Sequence, residues 1–340
     1  MYKINRNRLT ELFACIAAEM PLYMPQRGVD NIGTDFALYK PNTEADFDTL
    51  KTALSIKGFY LPYIENLYKS VCTKDKITIT PATPADEPFV LFGVRACDVA
   101  AVKILDEIYL NDPIDPLYKA RRDVSVVVSL ACEKPNTTCF CQSVGINPNQ
   151  PDGDISVWII DDVLYWQSET EKGNDLTEKV AHLLEKIAPP EFIKNSEISK
   201  KSESHEPPEL FLPNPAETQT IFNLPIWDEL HKTCIACGTC TFVCPTCQCY
   251  NIGDYESENA VHCTRHWDAC LFPSFTQMAH GNPRPDKKER FRQRYMHKLL
   301  YHAQKYNKSA CVGCGRCVAK CPVNMNILYV ARALKEAHHV

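Results

Sequence analysis

Two runs of cysteine in the last third of the chain have the spacing of metal ligands. Cys234-x2-Cys237-x2-Cys240-x3-Cys244-Pro245 is followed by Cys311-x2-Cys314-x2-Cys317-x3-Cys321-Pro322. Three thiols two residues apart surround one corner of an iron–sulfur cubane from a single tight loop. In two-cluster ferredoxins of this spacing the fourth cysteine, before proline, serves the other cluster. The spacing therefore predicts two [4Fe–4S] clusters with exchanged ligands: Cys234, Cys237, Cys240 with Cys321, and Cys311, Cys314, Cys317 with Cys244. Gly238, Gly313 and Gly315 supply the unusual backbone angles of such loops. Pro245 and Pro322 redirect the chain and carry no N–H. Zinc usually takes two CxxC pairs instead of this triple, and disulfides need an oxidising compartment.

The chain has 18 cysteines, so the two motifs do not exhaust them. Cys97, Cys132, Cys139 and Cys141 each fall at or near an expected strand end. Two readings stand for this quartet: a third cluster at the edge of an α/β sheet, or buried apolar thiols. Asp98 is a substitute ligand, though thiolate is the softer match. Cys247, Cys249, Cys263 and Cys270 follow the first motif. They read as packing residues or tuners of cluster sulfur, with a separate metal site or reactive thiols as alternatives. Cys15 and Cys72 have no cysteine neighbours and read as core residues. His262, His266, His297 and His302 read as surface residues before cluster partners.

No nucleophile elbow, P-loop or dinucleotide fingerprint is present, so no catalytic residue is assigned and no flavin or nicotinamide site is supported. With 340 residues, 45% hydrophobic, the chain is long enough for two domains. A net charge of −5 without a basic stripe gives no reason to expect nucleic-acid binding. The first 20 residues lack the pattern of a secretory signal. No apolar run approaches the roughly 20 residues of a membrane span. A reducing cytoplasm is the expected compartment.

The elements that must position these thiols change in kind along the chain. Asn5–Ala18 has helical apolar spacing, and Pro88–Val94 and Asp123–Ser129 read as buried strands. Asp98 is placed as the N-cap of a helix over Val99–Leu110. Val157–Trp166 reads as a hairpin and Asp175–Ile187 as a helix. The expected fold class is an α+β or α/β domain over residues 1–190, a linker over 191–219, and an all-α, helical ferredoxin-like dicluster domain over 220–340. Lys287–Tyr306, free of Gly and Pro, is its clearest helix. The basic stretch Arg284–Arg294 reads as a solvated face or a dock for an acidic partner.

Five stretches carry a family resemblance: Gly93-Val-Arg-Ala-Cys-Asp98, Thr138-Cys-Phe-Cys141, Cys244-Pro-Thr-Cys-Gln-Cys249, Arg265-His-Trp-Asp-Ala-Cys270 and Cys311-Val-Gly-Cys-Gly-Arg-Cys317. They resemble a family that unites the beta subunits of cytoplasmic nickel–iron hydrogenases (sulfhydrogenases) with the A subunits of anaerobic sulfite reductases. Gly281-Asn-Pro-Arg-Pro285 with His297-Lys298 leans toward the hydrogenase branch. The resemblance implies a non-catalytic electron-transfer subunit of an anaerobic, multi-subunit oxidoreductase. Its implied partners are a flavin-containing NAD(P)H oxidoreductase subunit and a terminal reductase or hydrogenase subunit. It also strengthens the reading of Cys97, Cys132, Cys139 and Cys141 as a third cluster site. The alternatives are a self-contained flavin-dependent oxidoreductase acting on a small substrate, and a zinc scaffold.

Overall fold

Apolar runs at Phe89–Val94 and Ser125–Leu130 are too short for stable helices and are buried along almost their whole length, as expected of central parallel strands. The computed structural model describes the chain except for residues 29–32, 85–86, 133, 189–206, 258 and 339–340. The strands run β1 (Tyr2–Asn5), β2 (Leu22–Arg27), β3 (Thr34–Leu38), β4 (Ile64–Cys72), β5 (Ile77–Pro81) and β6 (Phe89–Val94). They continue as β7 (Ser125–Leu130), β8 (Ile155–Ile160), β9 (Val163–Ser168), β10 (Glu185–Lys186), β11 (Tyr250–Ser257) and β12 (Ala260–Trp267). The linker expected over 191–219 lies, as far as residue 206, outside the described residues.

One unit comprises Met1–Ile56, Ala85–Pro208 and Val312–Cys314. Its sheet has the order β10-β1-β9-β8-β7-β6-β2-β3. The pairs β2–β6, β6–β7 and β7–β8 are parallel and the rest antiparallel. Helices α1 (Leu9–Glu19), α2 (Ala96–Tyr109), α3 (Pro116–Val124) and α4 (Glu171–Val180) accompany it. Leu12 and Ile16 of α1 and Leu176 and Val180 of α4 close one core with Phe92, Val128 and Trp166.

Local chemistry shifts three expected boundaries. Asn5 caps a 3-10 turn by accepting the Asn7 N–H at 3.1 Å, so the first regular helix begins at Leu9. The chain is extended at Arg95, which therefore caps α2, and Asp98 lies buried inside the first turn. Thr170 accepts the Gly173 N–H and starts α4 early; Glu185–Lys186 leaves the helical pattern to pair with β1.

The other unit comprises Lys57–Pro84, Glu209–Cys311 and Gly315–Val340. Here the expectation of an all-α C-terminal region is overturned. Tyr250–Ser257 and Ala260–Trp267 form a hairpin in a four-stranded antiparallel sheet of order β11-β12-β4-β5. Alternation of Tyr250 and Ile252 is a strand signal. The pairing partners β4 and β5 come from the first quarter of the chain, so a local reading of the last third does not find them. Arg265 on β12 is paired with Glu65 on β4, and both are buried; Arg265 Nε donates to Glu65 Oε2 at 3.0 Å.

Helices of this unit include α5 (Trp227–Thr233), α6 (Thr239–Phe242), α7 (Lys287–Met296), α8 (Arg316–Lys320) and α9 (Ile327–His338). Asp286 and Glu289 form a capping box at the start of α7. The helical path continues through a π turn at His297–Tyr301 to Tyr306, and Asn307 ends it in a left-handed conformation. Arg290, Arg294, Lys298 and His302 recur every fourth residue along it and are all buried, so one face of this helix is buried, while Arg284, Lys287, Lys288 and Arg292 stay half-exposed. Among the described residues no helix is long and apolar enough to cross a membrane.

Glu65→Ala leaves Arg265 buried without its carboxylate and should cost about 3–5 kcal/mol. The double variant Glu65→Met/Arg265→Met should recover most of that loss. Denaturant midpoints of the three proteins check both outcomes.

Candidate metal centre

The two cysteine motifs fold alike because their glycines allow it. After α5 the backbone is extended at Cys234 and left-handed at Ala236, whose N–H donates to the Cys234 sulfur at 3.4 Å. Gly238, at φ +75°, opens the single turn α6 that carries Cys240; a Cβ there would stand 2.7 Å from the Phe272 ring. Gly315 repeats the conformation at φ +73° and opens α8, which carries Cys317 and ends at Cys321. Helices α6 and α8 pack on each other.

Several of the motif thiols act on one another or on shared neighbours. The charge of Cys321 acts on Cys240, as does that of Cys237, and Cys234 feels both Cys240 and Cys237. Lys298 faces Cys244 and Cys311 together. Tyr295 faces Cys240, Cys317 and Cys234, while its hydroxyl donates to the Met325 carbonyl at 2.9 Å. Cys314 lies in the short stretch Val312–Cys314 that belongs to the first unit.

Buried cations line these thiols. Arg294 and Lys298 are each 4% exposed, and Lys57 is 3% exposed. Arg294 Nη2 donates to the Cys240 carbonyl at 2.7 Å, and Nη1 lies 3.5 Å from the Cys247 sulfur. Its Nε–H is buried with no partner among the described residues. Lys298 Nζ donates to Thr246 Oγ1 at 2.6 Å and to the Ala310 carbonyl at 3.3 Å. Lys57 Nζ donates to the Cys247 carbonyl at 2.9 Å and sits 3.7 Å from the Trp267 ring centre.

Burial alone would strip the charge from such groups. Instead, negative charge led by Cys240 outweighs burial and raises the Arg294 pKa, and charge led by Cys244 does the same for Lys298. Burial pushes the Cys234 and Cys240 thiols up, so without metal these sulfurs tend to neutrality. Neutral thiols or disulfides would leave buried cations uncompensated, a state costing several kcal/mol per ion. Metal-bound thiolates supply the missing charge, since ligation deprotonates the sulfur. The donor set, the cations and the unpartnered Arg294 Nε–H all fit iron–sulfur clusters.

In the first unit, Cys97, Cys132, Cys139 and Cys141 line one cavity together with Lys51, Arg95 and Cys314. Parallel β6 and β7 deliver Cys97 and Cys132 to the same carboxyl edge of the sheet. The loop carrying the other two folds back: the Phe140 N–H donates to the Gly313 carbonyl, and the Cys132 N–H to that of Pro148, both at 2.9 Å. Gly313 has φ +61°, and a Cβ on it would stand 2.5 Å from the Cys141 backbone. Burial, then the charges of Cys132 and Cys139, push Cys141 up to about 12. Burial also raises Cys132, against the pull of Arg95, with Asp98 nearby. Lys51 Nζ lies 3.9 Å from the Cys139 sulfur and donates to the Cys314 carbonyl at 3.3 Å.

Among the described residues, no three His, Cys, Asp or Glu side chains come close enough to hold a single metal ion. A cubane binds its thiolates one to each iron, at separate corners. Of the other candidates, Cys247 donates its S–H to Cys244 and holds that sulfur well below the usual thiol range. Cys263 is buried, Cys15 lies 3.9 Å from the His182 ring, and Cys72 is exposed. His262 stacks on Tyr255, and buried His302 tilts against Tyr306. Sequence reasoning missed the cations. The four-residue recurrence of Arg294 and Lys298 was an available signal; nothing local marked Lys57.

Comparison with known proteins agrees with this chemistry. A model of the 4Fe-4S dicluster domain matches residues 233–325. The chain is similar to sulfhydrogenase 2 subunit beta of Pyrococcus furiosus, 30% identical over 301 residues that cover 86% of each chain. No solved structure matches the chain.

Gly313→Ala should destabilise the first unit by at least about 3 kcal/mol, since both φ and the Cys141 backbone oppose the methyl group. Gly145→Ala, also at positive φ but with nothing within 4 Å, should cost only about 1–2 kcal/mol. Urea unfolding of the two variants checks the contrast.

Proposed function

Since this chain belongs to the family of sulfhydrogenase beta subunits, we propose that it is an electron-transfer subunit relaying electrons through iron–sulfur clusters. The two ends of the proposed relay are a flavin-containing NAD(P)H oxidoreductase subunit and a terminal hydrogenase or reductase subunit. The proposed compartment is the cytoplasm, where thiols stay reduced. The observation that carries the reading is the burial of Arg294 and Lys298 against thiols instead of carboxylates.

In this reading Cys234, Cys237, Cys240 and Cys321 hold one [4Fe–4S] cluster, and Cys311, Cys314, Cys317 and Cys244 hold the second. Cys97, Cys132, Cys139 and Cys141 hold a third. Support for the exchanged ligands comes from the charge of Cys321 on Cys240 and from Lys298 facing Cys244 and Cys311. Support for the third site comes from the shared cavity and its lining cations, Lys51 and Arg95.

When bound, each cubane stores and releases one electron. The chain sets how readily it does so. Arg294 and Lys298 place fixed positive charge beside the sulfurs and favour the more negative, reduced form. Their hydrogen bonds to the Cys240 carbonyl and to Thr246 hold that charge in place. Apolar Leu299, Leu300 and Val330 are buried in the same unit and withhold water from its interior.

Iron and acid-labile sulfide in anaerobically prepared protein test the assignment. About twelve irons per chain are expected, falling by about four in Cys321→Ser and, separately, in Cys139→Ser. Near eight irons in the wild type would remove the third site alone; zinc in place of iron would overturn the cluster reading. Flavin bands together with substrate turnover by the isolated chain would overturn the relay.

A further inference from the structure

Of the cysteines that neither motif uses, the fold of the second unit brings two together, Cys249 and Cys270. Cys249 immediately precedes β11 and Cys270 lies three residues beyond β12. Tyr250 and Trp267 are paired in register at this open end of the hairpin, and the Asp268 N–H donates to the Cys249 carbonyl at 2.9 Å. Both chain segments are therefore fixed where the thiols emerge. This closure places Cys249 and Cys270 as neighbours, each the leading influence on the other's thiol. Both residues are partly exposed, whereas Cys247 and Cys263 are buried. Two neighbouring, partly exposed thiols on pinned backbones form an arrangement distinct from a metal site. Two thiols are too few for a tetrahedral ion, and among the described residues no third donor completes one.

We propose that Cys249 and Cys270 form a redox-active dithiol that exchanges two electrons with small-molecule disulfides, separately from the cluster ligands.

The chemistry of each partner suits a different step. The S–H of Cys270 holds Cys249 down to about 6 against the upward push of burial, aided by its own N–H and by Arg294 and Lys298. Cys249 is thus the attacking sulfur, near the thiol acidity at which exchange is fastest at neutral pH. The same contact and burial raise Cys270, which keeps its proton until the second step. Cys249 thiolate attacks one sulfur of the reagent disulfide; that S–S bond breaks, and the leaving thiolate takes up a proton. Cys270 then loses its proton and attacks the Cys249 sulfur of the mixed disulfide. The protein S–S bond forms and the second reagent thiol departs. In sum, two electrons pass from the protein pair to the reagent, which is reduced to two thiols with one proton from Cys270 and one from solvent. A site of this kind would let a one-electron relay meet a two-electron couple.

The test uses the anaerobically purified, iron-loaded chain. It is equilibrated at stepped ratios of oxidised to reduced dithiothreitol, the free thiols are alkylated, and linked peptides are quantified by mass spectrometry. A Cys249–Cys270 disulfide is expected to rise from about one tenth to about nine tenths over a roughly hundredfold change in ratio, the signature of a two-electron couple. Iron content should stay constant throughout. Cys249→Ser and Cys270→Ser should each abolish the linked peptide and keep the iron of the wild type. No linked peptide at any ratio would overturn the proposal. Bonding of either residue to Cys247, or iron loss in either variant, would also overturn it, the last because it would make the pair ligands.

Discussion

Buried positive charge must be matched by buried negative charge, and in this chain the match is sulfur. Arg294 and Lys298 lie on one face of a helix, nearly fully buried, and the cluster thiols that stabilise their charge are Cys240, Cys244 and Cys311. Carboxylates would be the ordinary partners. Thiols can replace them only as thiolates, and a buried thiol stays ionised when a metal holds it. The cation face and the cysteine loops therefore require each other: without cluster charge the helix is strained, and without the helix the clusters lack compensation.

The rest of the second unit is built to keep that face in place. The capping box at Asp286 and Glu289 fixes where the helix starts, and so which residues fall on its buried face. The π turn at His297–Tyr301 lies where Lys298 meets Thr246 and the Ala310 carbonyl. Lys57, from the first quarter of the chain, adds a buried amine against Trp267 and the Cys247 carbonyl, though burial lowers its pKa despite the thiols nearby. The sheet shared by β4, β5, β11 and β12 anchors both Lys57 and the hairpin carrying Trp267. In the first unit the same logic recurs at smaller scale, with Lys51 and Arg95 lining the cavity of Cys97, Cys132, Cys139 and Cys141.

Much of this was legible in the sequence, and what was not has a physical cause. The cysteine spacing reveals the motif chemistry because loop geometry depends on a few adjacent residues, above all Gly238 and Gly315. The buried strands at Phe89–Val94 and Ser125–Leu130 were legible because central strands are continuous apolar runs. The hairpin Tyr250–Trp267 was not, because its stability rests on pairing with residues about 200 positions away, seen in Arg265 bonded to Glu65. The buried role of Arg294 and Lys298 was hidden for a related reason. A basic stretch reads as solvated unless its counter-charges are known, and here they arrive from two separate cysteine loops. Asp98 is not the cap the sequence suggests, since the extended backbone at Arg95 decides where α2 begins.

The central claim is that these cations compensate cluster charge. Removing a unit charge about 10 Å away, at an effective dielectric constant of about 20, is worth ~1.7 kcal/mol, or ~70 mV for one electron. The direct measurement is a potentiometric titration of the anaerobic protein, followed by the paramagnetic signal of its reduced clusters. Wild type, Lys298→Met and the charge-keeping Lys298→Arg would be compared. The account predicts a midpoint lower by several tens of millivolts in Lys298→Met and nearly unchanged in Lys298→Arg. Equal midpoints in all three proteins, or no reduced-cluster signal in the wild type, would contradict it.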